Sequence, residues 1–154
     1  ERSKIESYKG KAAIANAKLI YQAFREIFFC GDFTPLKEKG AFFQRVLWAS
    51  TGTKNALYSD VKYVDGLIAP YTVNTMPQDT LDAYLDHGNP CFSIENKEQE
   101  AADVLKSLST AGINIEKICQ GLQDKGVALF RESYDKIISS LTAKIGKITP
   151  AKTV

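Results

Sequence analysis

Between Tyr8 and Phe29 the apolar positions Ile14, Ala17, Tyr21, Phe24 and Phe28 recur three and four apart, with Lys11, Lys18 and Arg25 off that stripe. This spacing predicts a long amphipathic helix, stopped by Gly31 and then Pro35. Phe28, Phe29 and Phe33 crowd its end and predict a buried junction with other structure. After Gly40 the pattern changes to Arg45-Val46-Leu47-Trp48-Ala49-Ser50. An unbroken apolar run without alternation suits a strand covered on both faces, as in a parallel sheet.

That strand runs into Thr51-Gly52-Thr53-Lys54-Asn55, a polar loop with a glycine inside it. Ser59 to Ile68 reads as a short helix through Val61, Val64 and Leu67, closed by Pro70. Thr72-Val73-Asn74-Thr75 is a second short strand. Pro77 opens another helix as its first residue; Asp79 and Asp82 favour its positive end, and Gly88 terminates it. Strand, helix, strand, helix at this spacing signals parallel β/α units. From Asn96 onward everything reads as helical. The first helix uses Ala101, Leu105 and Leu108 and ends at Gly112. A shorter one, with Asn114 as N-cap, buries Ile115, Ile118 and Leu122. The last runs from Val127 through Phe130, Tyr134, Ile137, Leu141 and Ile145, and residues 146–154 form a frayed tail.

Two strands do not make a stable parallel sheet, because such a sheet needs both faces covered and neighbours on its edges. The pattern therefore supplies only part of a sheet. Length adds to this: 154 residues suit one domain, and a chain of that size buries roughly 68–70% of its unfolded surface. The start, Glu1-Arg2-Ser3-Lys4, is neither a secretory signal nor a natural translation start, since the first Met is Met76. The expectation is a piece of something longer. No stretch reaches the roughly 20 apolar residues of a membrane span. A net charge of +2, with lysines spread along the chain, gives no reason to expect nucleic acid. Cys30, Cys91 and Cys119 cannot all pair with one another and show no C-x-x-C spacing, which fits a reduced, intracellular chain.

Chemistry concentrates in Ser50 to Asn55. Hydroxyls, a glycine-loosened backbone and one ammonium follow the C-terminal end of a strand, where ligands bind in β/α folds. These donors suit a phosphate. The same residues also make an ordinary polar loop with a solvent-facing lysine, and the spacing is not that of a P-loop. Asn74 and Thr75 end the second strand at the same rim, where either can touch a ligand; capping the following helix is the plainer role. His87, the only histidine, lies in the last turn of its helix with no ligand cluster of metal spacing, so no metal site is expected. Asp79, Asp82 and Asp86 read as a solvated face, Trp48 as core, and Lys136, Lys144 and Lys147 as a solvated flank. No nucleophile–base pair is visible.

The run Gln44-Arg45-Val46-Leu47-Trp48-Ala49-Ser50-Thr51-Gly52-Thr53-Lys54-Asn55, followed by Tyr58-Ser59-Asp60, resembles transaldolase. So do Thr72-Val73-Asn74-Thr75-Met76-Pro77, Thr80-Leu81-Asp82-Ala83-Tyr84 and Asp86-His87-Gly88, in the manner of the longer bacterial-type members. Gly10-Lys11-Ala12-Ala13-Ile14-Ala15-Asn16-Ala17 resembles the segment before the seventh barrel strand, and Gly126-Val127-Ala128-Leu129-Phe130 the family's C-terminal helices. The resemblance implies an α/β fold: the C-terminal part of a (β/α)8 (TIM) barrel, with about two parallel strands (the seventh and eighth), several helices and an all-helical end. It implies one partial domain over residues 1–154, with strands one to five or six missing.

The activity implied is transfer of dihydroxyacetone from sedoheptulose 7-phosphate to glyceraldehyde 3-phosphate, in the pentose phosphate pathway, without metal or organic cofactor. A lysine on strand four forms a Schiff base, helped by carboxylates on strands one and three; the iminium is an electron sink. None of these catalytic residues is in the chain, and no lysine here takes that role, so these residues alone are expected to be inactive. What carries over is phosphate binding by Ser50 and Lys54. Many relatives have arginine in a shorter loop, and a lysine acts there as a point charge, not a bidentate fork. Ala56-Leu57 stands where the family usually has Pro-Ala. The alternative function is a non-catalytic barrel remnant that binds sugar phosphates or serves as an interaction module. Expected partners are phosphorylated sugars, with neither nucleic acid nor membrane; a homo-oligomer is compatible with the sequence, and the implied location is cytoplasmic.

Overall fold

The structure, a computed structural model, describes residues 6–147. It divides into two compact units, one ending at Ile113 and one starting at Asn114. In the first, helix α1 (Ala12–Phe29) is followed by the short α2 (Thr34–Glu38), strand β1 (Val46–Trp48), α3 (Lys62–Asp65), strand β2 (Thr72–Asn74), α4 (Gln78–His87) and α5 (Glu98–Thr110). The second unit is α6 (Ile115–Ile145).

The two strands pair in parallel, Val46 opposite Thr72 and Trp48 opposite Asn74, with α3 in the connection. The predicted β/α alternation is therefore present. The pairing runs one residue past the ladder: the Thr75 amide donates to the Trp48 carbonyl at 2.9 Å. Both C-terminal strand ends consequently lie side by side, and the loops that leave them share one rim.

The stripe on α1 forms the core as its period demands. Ala17, Tyr21 and Phe24 are buried together with Trp48, Leu67, Ala69 and Ile94, and Ile14 and Phe28 pack against them. The Tyr21 hydroxyl donates to the Pro70 carbonyl at 3.2 Å, and the Trp48 indole Nε1 donates to the Leu67 carbonyl at 3.0 Å. Helix α5 packs along α1 through Ala101, Val104 and Leu108. Val104 takes the buried place expected of Leu105, which is half-buried. Ile94, fully buried, is set by a bridge between distant segments: the Ser93 amide donates to the Ile68 carbonyl, and the Ser93 hydroxyl accepts from the Ile68 amide.

Several expectations fail for identifiable reasons. β1 is covered on one face only among the described residues. Alternation turns Trp48 inward and Leu47 outward, and Leu47 is 54% exposed. Pro35 does not simply stop α1; it sits in the first turn of α2, where its fixed φ and missing N–H are tolerated. Pro77 is the N-cap of α4 and not its first residue, with extended backbone. The phenylalanines at the end of α1 do meet, but with Phe43 and Tyr71 in a half-open cluster, and Phe29 remains 47% exposed.

In the second unit Asn114 caps as predicted, its Oδ1 accepting from the Lys117 amide at 2.8 Å. The two expected helices are one, continuous through Gly121 and Gly126. A helical glycine costs about 1 kcal/mol but keeps its backbone hydrogen bonds, so it weakens a helix without ending it. Ile118 and Leu122 are exposed instead of buried, and none of the described side chains of α6 is buried. Of the expected frayed tail, Gly146 and Lys147 form an exposed turn, and residues 148–154 lie outside the described residues.

Candidate functional site

The rim is built by the segment that leaves β1. Ala49 and Ser50 turn away from the strand, and Ser50 takes a left-handed backbone with φ of 56°. That conformation costs a non-glycine residue about 1–3 kcal/mol and persists only where neighbours enforce it. They do so here. The next residue, Thr51, is 5% exposed; its amide reaches the Thr75 carbonyl at 3.4 Å, and its hydroxyl donates to Asn74 Oδ1 at 2.6 Å. Gly52 then passes so close to α4 that a Cβ would meet Pro77 Cγ at 3.0 Å and Thr80 Oγ1 at 3.2 Å. Beyond it, Asn55 closes a turn by accepting the Leu57 amide on its side chain and the Tyr58 amide on its carbonyl.

Ser50 and Lys54, the two residues expected to hold a phosphate, are both exposed and line two separate depressions with Gly52 in common. Ser50 lines one of about 270 Å³ with Ala13, Trp48, Thr51 and Tyr63. Lys54 lines one of about 290 Å³ with Thr53, Asp60, Asp79 and Thr80. Lys54 therefore lines an area that also carries Asp60 and Asp79, whereas the serine side is uncharged. Thr53 Oγ1 in this loop is buried and has no hydrogen-bond partner among the described residues.

Two roles differ from the sequence reading. Asn74 and Thr75 do not cap α4, whose N-cap Pro77 has no side-chain cap bond. They tie the two strand ends together: Asn74 accepts from Thr51, and the Thr75 hydroxyl donates to the Trp48 carbonyl at 3.4 Å. His87 ends α4 as expected, but its ring also bonds two carboxylates. Its Nε2 lies 2.9 Å from Asp60 Oδ1 and its Nδ1 3.0 Å from Asp86 Oδ2. The hydrogen bond to Asp60, then that to Asp86, raises the imidazole pKa above its ordinary value, and the His87 contact lowers that of Asp60. The loop is thus fastened to β2 at its start and to the end of α4 at Asp60. Asp60 stands 27 positions before His87, a separation at which no sequence periodicity signals contact. Asp82 accepts from Gln78, an ordinary bond on the helix surface.

Hydroxyl, amide and ammonium donors at a rim can bind an oxyanion. They offer no nucleophile–base pair, and no group of three His, Cys, Asp or Glu able to hold a metal occurs among the described residues. The three cysteines are free and exposed. No helix among the described residues is long and apolar enough to cross a membrane.

Comparison with known proteins adds to this geometry. Residues 1–141 match the family described as Transaldolase/Fructose-6-phosphate aldolase. The chain is 42% identical to a transaldolase of Trichodesmium erythraeum over 151 residues, which cover 97% of this chain and 40% of that protein. It is 42% identical over 141 residues to a transaldolase of Saccharopolyspora erythraea, with 91% and 38% covered. With a transaldolase of Neisseria gonorrhoeae it shares 41% identity over 133 residues, 86% and 38% of the two chains. The chain thus spans about 40% of the length of these relatives.

Proposed function

Because the chain belongs to the transaldolase/fructose-6-phosphate aldolase family, we propose that it is the C-terminal part of a transaldolase and supplies the phosphate-binding rim of its active site. Members of the family are TIM barrels. In this reading β1 and β2 are the seventh and eighth barrel strands, and residues 1–154 are one partial (β/α)8 domain. The complete protein moves a dihydroxyacetone unit from sedoheptulose 7-phosphate to glyceraldehyde 3-phosphate in the cytoplasm, through a Schiff base on a lysine outside these residues. It needs no metal or organic cofactor.

The observation that supports this most is the parallel β1–β2 pair whose Ser50-to-Asn55 loop leaves at the C-terminal ends, where barrel enzymes bind their ligands. In the proposed role the Ser50 hydroxyl donates to a phosphate oxygen and the Lys54 ammonium offsets its charge. The two line separate depressions, so joint action requires the flexible lysine side chain to swing across Gly52.

Two experiments test the reading. Borohydride reduction of the native protein with a phosphorylated ketose should trap a covalent adduct in a chain larger than 17.0 kDa. A native mass of 17.0 kDa with no adduct would favour the non-catalytic remnant instead. In the active protein, Lys54→Met should raise KM for phosphorylated substrates about tenfold while kcat changes little, the signature of lost uniform binding. Unchanged kinetics would remove Lys54 from the site.

A further inference from the structure

Resting on the transaldolase reading, we propose that Asn74 is a further substrate-binding residue of this rim, and that Thr51 is the positioning residue which aims its amide. An asparagine side chain has one carbonyl oxygen and an NH2 with two donors. The Thr51 hydroxyl donates to Asn74 Oδ1 at 2.6 Å, which fixes the plane of the amide and which end of it faces the loop. Among the described residues this is the sole partner of the Asn74 side chain, so both Nδ2 hydrogens are unengaged.

Asn74 is the last residue of β2, half-buried, and opposite Trp48 in the ladder. Its amide therefore sits at the C-terminal edge of the sheet, beside the strained turn at Ser50. Thr51, buried and adjacent to Ser50, makes one device of the two positions. One short hydrogen bond holds the residue next to Ser50 against β2 and leaves the Asn74 donors free at the same edge. Asn74 itself lines neither depression, but Thr51, to which it is bonded, lines the uncharged one with Ser50, so the two neutral Nδ2 donors suit a phosphate oxygen held at this edge beside that depression. The amide is held before ligand arrives, so little ordering is lost on binding.

The test uses the complete active protein and compares kcat/KM for glyceraldehyde 3-phosphate with that for unphosphorylated glyceraldehyde as acceptor. Asn74→Asp keeps the shape and the oxygen that Thr51 reaches, but replaces both donors by a charged oxygen. The preference for the phosphorylated acceptor should fall at least tenfold, mainly through KM. Thr51→Val, which releases the amide, should lower the preference about fivefold, and Thr51→Ser should restore it. A purely structural role would lower stability and leave the preference unchanged in Asn74→Asp and Thr51→Val alike, which would overturn the proposal. If Asn74→Asp does not fold, the contrast between Thr51→Val and Thr51→Ser decides. A native protein without transferase activity would instead refute the functional reading. An active one in which Lys54→Met loses the preference and Asn74→Asp keeps it would refute this inference alone.

Discussion

Replacing Trp48 by Phe should destabilise the first unit by about 2–3 kcal/mol, and the structure divides that loss into two parts. Trp48 is 8% exposed in the core under α1, and its Nε1 donates to the Leu67 carbonyl at 3.0 Å. No other donor reaches that carbonyl among the described residues. Removing the indole N–H leaves a buried acceptor unsatisfied, at a cost of about 1–2 kcal/mol. The phenyl ring is also roughly 40 Å³ smaller, and at about 24 cal/mol per Å³ of residual cavity this adds about 1 kcal/mol. The strand pairing itself is untouched, since the Trp48 carbonyl still accepts from the Thr75 amide. Urea denaturation of the native protein, followed by far-ultraviolet circular dichroism because the substitution removes the tryptophan of this unit, measures the change. The midpoint should fall with an unaltered slope. A loss under about 0.5 kcal/mol would mean that the indole bond and the cavity are both relieved by relaxation, and the account of the core would fail.

Three further outcomes follow from the same geometry. The Asp60–His87 contact stabilises when the carboxylate is ionised and the imidazole protonated. The raised His87 pKa makes its contribution full below the ordinary histidine value of 6.5 and lost as pH rises through the folded value. The lowered Asp60 pKa makes its contribution full above 3.8 and lost on acidification below that. The contact is therefore strongest between about pH 4 and 6.5; an NMR titration of His87 should show a pKa above 6.5 that drops in Asp60→Asn, and an unmoved value would remove the contact. Gly52→Ala should cost about 1–2 kcal/mol by pushing the loop off Pro77 and Thr80, seen as a lower melting temperature; an unchanged melting temperature would show that the loop yields freely. Asn114→Ala should cost about 1 kcal/mol of helix stability through the lost cap, read as faster hydrogen exchange at the Lys117 amide; unaltered exchange would refute the cap.

What the sequence determined by itself was whatever depends on local period and on short motifs. The stripe Ala17, Tyr21, Phe24 fixes the buried face of α1 because residues three and four apart share one side of a helix. Two short apolar runs separated by a helix identify a parallel unit, and Trp48 to Asn55 with Thr72 to Pro77 identify the family and the rim. Asn114 is legible as a cap from its type and place alone.

Only tertiary structure decided the rest, because it depends on contacts between distant positions. The partnership of Thr51 with Asn74 spans 23 residues and that of His87 with Asp60 spans 27, and neither has a period to betray it. The same distance effect separates Ser50 from Lys54: four positions apart in the chain, they face different depressions because Gly52 lets the backbone run against α4. Burial, too, is a property of the whole. Leu47 reads as core by its neighbours, yet it is exposed because nothing among the described residues covers that face of β1.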